Sequence, residues 1–400
     1  MSVNIRYLPS AMTPISIMDI GSAITDQKDG LSRFKDAINS YLEAKESYTF
    51  TSFMRSIYAC LMIVKDLDPR REVILPRFSC PTFTHAIREA GLTPLYCDIN
   101  PLTLSMDMEK LQGMDLNNAL AIISVNHFGL ANPMDQLAEI SKEKDIYLIE
   151  DLGYSLGTRF KKRKLGTFGD FSVLNFKEGK AIPIGGGMLT TSHDGLMDLF
   201  RDQQTRGSNV GRMIGYRYVV NPYIYFLFKK TMDLFQFNER RLFSMEDTIR
   251  GSMSEFDYQF DASEPLYALS DFQGRLGLRI FSRFEDTIRI RETNARFLED
   301  ALSDCTAIEL VEREEGTEIT HYIRYPVRVP HGLRYDMLHR LLGDGVEARD
   351  IYSEVKPDGG AYPGAYKVSQ EILTLPCHPG MNTTDLQRTI NTISAFEKSR

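Results

Sequence analysis

The residues of this chain best suited to chemistry lie in residues 146–191, IYLIEDLGYSLGTRFKKRKLGTFGDFSVLNFKEGKAIPIGGGMLTT. An apolar run ends in Glu150-Asp151, Lys177 follows Ser172 by five residues, and a glycine triplet, Gly185-Gly186-Gly187, comes after. A lysine amine is the nucleophile that forms a Schiff base with an aldehyde, and a carboxylate at a strand end keeps a ring nitrogen protonated. Together they suit pyridoxal phosphate, with Lys177 as the amine and Asp151 as the ring-nitrogen partner. The plainer reading stands beside it: an acid pair after a strand caps a helix, and a lysine is a surface charge.

The elements around this run must carry it. Short apolar segments at 72–75, 94–97, 121–125, 146–149, 171–174 and 188–191 alternate with amphipathic stretches such as 134–144. That rhythm predicts an α/β fold with a mostly parallel sheet flanked by helices. Several segments end in polar residues: Asp98, Asn126-His127 and Glu150-Asp151. Ligands of open α/β sheets bind at those carboxyl ends, so Asn126 and His127 are candidate pocket residues. A strand-end histidine also serves as a buried structural residue. Apolar spacing from Leu269 to Ile288 predicts one long helix over 269–302. After it come a strand over 322–329, a helix over 335–342, and a final helix that Asn382 starts as N-cap.

Composition narrows the function classes. The 400 residues are 42% hydrophobic and 25% charged, as a folded globular chain requires, and the net charge of −7 argues against a broad nucleic-acid-binding face. Five scattered cysteines form no C-x-x-C pair, so no metal site is expected. No signal peptide is visible at Met1, and a reducing, cytoplasmic location is the expectation.

The run resembles the DegT and StrS kind of sugar aminotransferase, fold-type-I pyridoxal phosphate enzymes. The likeness rests on Ile149-Glu150-Asp151, Gly166-Thr167-Phe168-Gly169-Asp170, Phe171-Ser172 to Lys177, and Gly186-Gly187-Met188-Leu189-Thr190. Further blocks follow in order, among them residues 72–76, 94–99, 103–107, Asn126-His127-Phe128-Gly129 and residues 375–379. The resemblance implies a large cofactor-binding domain over 1–250, a small domain over 251–400, and a homodimer. It implies amino transfer from an amino acid such as glutamate to a nucleotide-linked keto-sugar. It also implies that Lys177 carries the cofactor, Asp151 pairs with its ring nitrogen and Ser172 contacts its phosphate. Tyr154 stands where the family has a glutamine. Lys180 is the rival to Lys177, because the loop from Lys177 to the glycines is longer than the pattern.

Four departures accompany the likeness. The phosphate-cradling turn aligns with Phe53-Met54-Arg55, where Arg55 offers a guanidinium, or is a surface charge. The aromatic residue that stacks on the cofactor ring aligns with Cys80, with Phe78 or Phe83 to compensate. The partner-subunit asparagine falls on Leu266. Residues 207–260 match nothing in the family and hold an aromatic-rich stretch at 216–237, read either as a packed helical excursion or as a segment that contacts a membrane surface. Two other outcomes compete with amino transfer: a dehydratase, which in this family carries histidine in place of the lysine, and a relative that has lost catalysis.

Overall fold

Seven strands build the main sheet: β1 (Glu46–Phe50), β2 (Glu72–Pro76), β3 (Thr93–Cys97), β4 (Ala119–Val125), β5 (Tyr147–Asp151), β8 (Phe171–Asn175) and β9 (Gly187–Thr191). Between β5 and β8 lies a small hairpin, β6 (Arg159–Phe160) and β7 (Arg163–Lys164). This computed structural model describes residues 7–26, 28–195, 205–206, 266–330, 332–352 and 355–399. The 216–237 stretch, and the boundary at residue 250, lie outside the described residues.

The sheet order is β1-β9-β8-β5-β4-β2-β3, with only β9 antiparallel to its neighbours. Helices cover both faces, and a strand buried on both faces is apolar throughout rather than alternating. All seven residues of β4, Ala-Leu-Ala-Ile-Ile-Ser-Val, are accordingly buried. The six strands and the 134–144 helix expected from the sequence are present, the latter as Met134–Lys144. Strand β1 is an addition. Its five residues, Glu46-Ser-Tyr-Thr-Phe, are too mixed in polarity to announce themselves, and their pairing with β9 fixes them.

After α1 (Ile17–Thr25) and α2 (Gly30–Leu42), helix α3 (Phe53–Leu67) packs on β8 and β9, with nine of its fifteen residues buried. The glycine triplet makes that approach possible: a Cβ on Gly187 would lie 2.7 Å from Ser56 Oγ and 2.9 Å from Phe53 Cα. The start of α3 is thereby held against the carboxyl end of β8.

The single long helix expected over 269–302 is instead two, Asp271–Phe281 and Phe284–Leu302, broken at Ser282-Arg283. Arg283 leaves helical geometry at φ −111°, ψ 12°, and its guanidinium grips the Asp19 carboxylate at 2.9 Å. Phe281 and Phe284 stack across the break at 5.3 Å with Tyr41 edge-on to both, so the apolar spacing runs unbroken through a bent backbone.

The C-terminal part builds a three-stranded antiparallel sheet from Glu309–Leu310, Tyr325–Arg328 and Ile372–Leu375. Helix Arg334–Gly343 packs on it, and helix Thr383–Lys398, started by the expected Asn382 capping box, packs on that helix and on Phe284–Leu302. Strand Thr317–Ile319 pairs antiparallel with β6, far back in the chain. His321 extends that seam: its amide donates to Thr158 Oγ1 at 3.1 Å, and its Nδ1 lies 2.6 Å from the Leu156 carbonyl. The next three residues, to Arg324, are thereby laid over the carboxyl end of β5.

Candidate active site

The acid pair at the end of β5 divides between the two faces of the sheet, since successive strand residues point in opposite directions. Glu150 is fully buried and accepts three backbone N–H bonds, from Gly166, Phe168 and Gly169, each at 2.7 Å. Burial pushes its carboxyl up, against those three amides. Glu150 is thus the clasp of the loop that leads into β8. Asp151 points the other way. Its Oδ1 accepts the Gly153 amide at 2.8 Å, and burial raises its pKa to about 6, against the pull of Gly153 and the charge of Lys180. A buried carboxylate with one amide donor and an ammonium nearby suits a cationic ligand group.

The same parity moves Ser172 out of the site. Register pairs Glu150 with Ser172 and Asp151 with Val173, so Ser172 shares the Glu150 face, and its hydroxyl donates to the Gly166 carbonyl at 3.1 Å. It lines a cavity of about 150 Å³ with Thr167, Asp170 and Thr191, on the far side of the sheet from Asp151. The residue of β8 on the Asp151 face at the carboxyl end is Asn175, whose Oδ1 accepts the Lys177 amide at 2.9 Å. Asp151 Oδ1 and Asn175 Cβ border the same Gly153.

The two lysines occupy different places. Lys177 is exposed as a residue, although burial of its amine lowers the pKa, with the thiol of Cys80 and the ammonium of Lys180 also acting on it. Lys180 is half-buried, and its Nζ lies 3.1 Å from the centroid of the Tyr154 ring. Its charge is felt at Asp151, Cys80 and Tyr154 alike. The Tyr154 hydroxyl accepts a bond from Arg324 at 3.1 Å. Burial would raise the Tyr154 pKa, but Lys180 and Arg324 together hold it below the usual tyrosine range.

Cys80 is the N-cap of the helix Pro81–Glu89, buried, with Sγ 3.2 Å from Thr82 Oγ1 and its thiol pKa raised by burial. Met54 and Arg55 are both buried in the first turn of α3, so Arg55 is no surface charge. Ser52 caps that turn, its Oγ accepting the Arg55 amide at 3.2 Å. Asn126 Nδ2 reaches the Asp151 carbonyl at 3.5 Å, while its Oδ1 accepts the Asn132 amide at 2.9 Å. The His127 ring is committed to the backbone: Nδ1 and Nε2 lie 3.0 and 2.5 Å from the Leu104 and Phe78 carbonyls, and burial lowers its pKa to about 4. It is a structural residue that joins three segments.

The structure therefore brings together Asp151, Tyr154, Lys180, the Lys177 amine, Cys80 and Asn126, and it leaves Ser172 on the other face. Comparison with known proteins agrees with the architecture. Residues 18–223 and 253–394 match the model of the DegT/DnrJ/EryC1/StrS aminotransferase family, so the stretch without a family counterpart is 224–252 rather than 207–260. The chain belongs to that family. It is 22% identical over 395 residues to a GDP-perosamine synthase of Caulobacter vibrioides, covering 96% of this chain and 92% of that one. A GDP-perosamine synthase of Escherichia coli O157:H7 is 32% identical over 153 residues, 37% of this chain and 42% of that one. Among solved structures, PseC of Helicobacter pylori, an aminotransferase of pseudoaminic acid biosynthesis, superposes with TM-score 0.74 at 17% identity, covering 99% of this chain and all of that one. Spr1654 of Streptococcus pneumoniae, solved in PLP and PMP forms, does so with TM-score 0.74 at 18% identity, covering 98% of this chain and 99% and 98% of those two.

Sequence reasoning missed Arg324, Asn175 and the role of Glu150. Lys180 had one usable signal. Counting back from the glycine triplet, Lys180 stands five residues before Gly185, whereas counting forward from Phe171-Ser172 reaches Lys177. Arg324 had none, because it arrives through the pairing of Thr317–Ile319 with β6.

Among the described residues no group of three or more histidine, cysteine or acidic side chains could hold a metal ion. No helix among them is long and apolar enough to cross a membrane. The five cysteines are free thiols.

Proposed function

We propose that the protein is a pyridoxal phosphate-dependent aminotransferase that moves an amino group from an amino acid such as glutamate to a nucleotide-linked keto-sugar, and that Lys180 is its reactive amine. The observation that carries the reading is the Lys180 ammonium, facing Tyr154 and acting on the buried Asp151 carboxylate. Bound there, pyridoxal phosphate supplies an electron sink for the carbon that bears the amino group.

The residues fit that cofactor. Asp151, held at the strand end by the Gly153 amide, would keep the ring nitrogen protonated. The first turn of α3, with Ser52 as its cap, would take the phosphate, helped by Arg55. Cys80 and Tyr154 would border the ring, and Asn126 would wall the pocket by fixing the Asp151 backbone. Lys180 would hold the cofactor and carry protons between substrate carbon and cofactor. Lys177, at the position where the family's dehydratases carry histidine, favours amino transfer over dehydration. The proposed active unit is a homodimer, with residues 1–250 as the cofactor-binding domain and 251–400 as the small domain.

The test is to load the purified protein with pyridoxal phosphate, reduce it with borohydride and map the modified peptide by mass spectrometry. The expected label is on Lys180. Label on Lys177 would overturn the lysine assignment, and no lysine label at all would overturn the enzyme reading. Glutamate-dependent amination of a nucleotide-linked keto-sugar, lost on Lys180→Ala, tests the reaction itself.

A further inference from the structure

Beside Lys180 stands a residue that the family pattern does not supply. Tyr154 occupies the place of a glutamine, and its ring is held edge-on by Phe128 at 5.7 Å. Its hydroxyl accepts from Arg324 Nη1 at 3.1 Å, and the Lys180 ammonium lies over its ring, 3.1 Å from the centroid. A phenol between two cations is placed to shed its proton, whereas a glutamine there would have none to shed.

The placement of both cations is built from a second set of contacts. Arg291, fully buried, faces no carboxylate among the described residues: Nη1 donates to the Tyr322 and Ile323 carbonyls at 3.1 and 2.9 Å, and Nη2 to the Met12 carbonyl at 2.9 Å and Thr13 Oγ1 at 3.1 Å. Thr13 Oγ1 in turn donates to the Lys180 carbonyl at 3.0 Å. One guanidinium therefore fixes the backbone just before Arg324 and, through Thr13, the backbone of Lys180. Burying an arginine without a counter-charge is costly, so its carbonyl partners must be kept in place.

We propose that Tyr154, held by Arg324, is the group that receives the proton of the Lys180 ammonium and so frees the amine to attack. The proposal rests on Lys180 being the reactive amine, as argued above. In the step, an N–H bond of the Lys180 ammonium breaks and an O–H bond forms on the Tyr154 phenolate. Ammonium plus phenolate becomes amine plus phenol, with no change in total charge, and Arg324 stays cationic throughout. The reverse transfer restores the ammonium when the amine is released. The charged and titratable groups acting on Tyr154 or on its partner amine are Lys180 and Lys177 from the loop after β8, Asp151 from the end of β5, Arg324 from the segment after His321, and Cys80 from the start of its helix.

The experiment has two arms. In the first, tyrosinate absorbance of the cofactor-free protein is titrated for wild type, Tyr154→Phe, Arg324→Met and Arg324→Lys. The wild-type curve minus that of Tyr154→Phe should show one tyrosine ionising below the ordinary range. Arg324→Met should move that midpoint up by about one pH unit or more, and Arg324→Lys should restore most of it. In the second arm, attachment of pyridoxal phosphate to Lys180 is timed by borohydride trapping across pH. Tyr154→Phe keeps the ring and its packing, so it should slow attachment at neutral pH by about tenfold or more and converge with wild type at alkaline pH, where a lysine loses its proton to solvent unaided. A Tyr154 that ionises in the ordinary range, or a rate loss equal at every pH, overturns the proposal. Absence of any Lys180 label in wild type instead defeats the underlying assignment, and leaves the tyrosine titration to stand or fall on its own.

Discussion

Replacing Asp151 with asparagine should make the cofactor-free protein more stable at neutral pH. Asp151 is 4% exposed, and burial raises its pKa from 3.8 to about 6. The folded chain therefore keeps this proton to higher pH than the unfolded chain does. Between about pH 4 and pH 6 the folded state binds more protons, so its stability falls as pH rises through that window and is level above it. At about 1.36 kcal/mol per unit, the whole loss is about 3 kcal/mol, of which roughly half falls between pH 5 and pH 7. Asparagine carries no charge to bury and its side-chain oxygen can still accept the Gly153 amide, although a neutral acceptor gives back about 1 kcal/mol of that bond. The net expectation near pH 7.5 is a gain of about 2 kcal/mol, vanishing toward pH 4. Urea denaturation of both proteins at several pH values between 5 and 7.5, with cofactor removed, measures it. A variant less stable than wild type at pH 7.5, or a stability difference that does not grow with pH, would refute the reasoning. With pyridoxal phosphate present the order should reverse, because only the carboxylate gains from a protonated ring nitrogen.

Three further outcomes follow from the geometry. Glu150→Ala strips the acceptor from three amides at once and should cost about 4 kcal/mol or more in urea denaturation, with Glu150→Gln losing about half of that. Ser172→Ala should leave pyridoxal phosphate affinity unchanged in equilibrium dialysis, since the hydroxyl faces the Gly166 carbonyl on the other side of the sheet. Gly364→Ala would set a Cβ 1.9 Å from the Ile99 carbonyl, at the helix start whose Gly364 and Ala365 amides bond Asp98, and thermal unfolding should show a loss of about 2 kcal/mol or more.

What the sequence reveals is set by how local the cause is. The apolar run of β4 and the helix Met134–Lys144 are legible because burial on two faces, or on one, imprints its own period. The break at Ser282-Arg283 is not, because its cause is Asp19, and the apolar spacing passes through it unchanged. Asp151 is legible as the last residue of a strand. Its neighbour Glu150 looks equivalent until the strand is placed in a sheet, where parity separates a binding group from a clasp. Ser172 illustrates the same point in reverse: the motif that names it is present, and its side chain points away. Arg324 meets Tyr154 across 170 positions, which no local pattern records.

The adjacency of Glu150 and Asp151 also has a consequence for proofreading during assembly. A slip of β5 by one residue would bring Asp151 to the clasp position and Leu152 to the place Asp151 now holds, so the clasp face would still carry a carboxylate. On that face the two alignments differ by one methylene. The longer side chain spans to the amides of Gly166, Phe168 and Gly169, each at 2.7 Å, while an aspartate in its place would fall short of all three. Reach, rather than charge, thus selects the correct alignment of the central strand, and a Glu150→Asp exchange should populate misaligned, insoluble chains even though it conserves every charge in the protein.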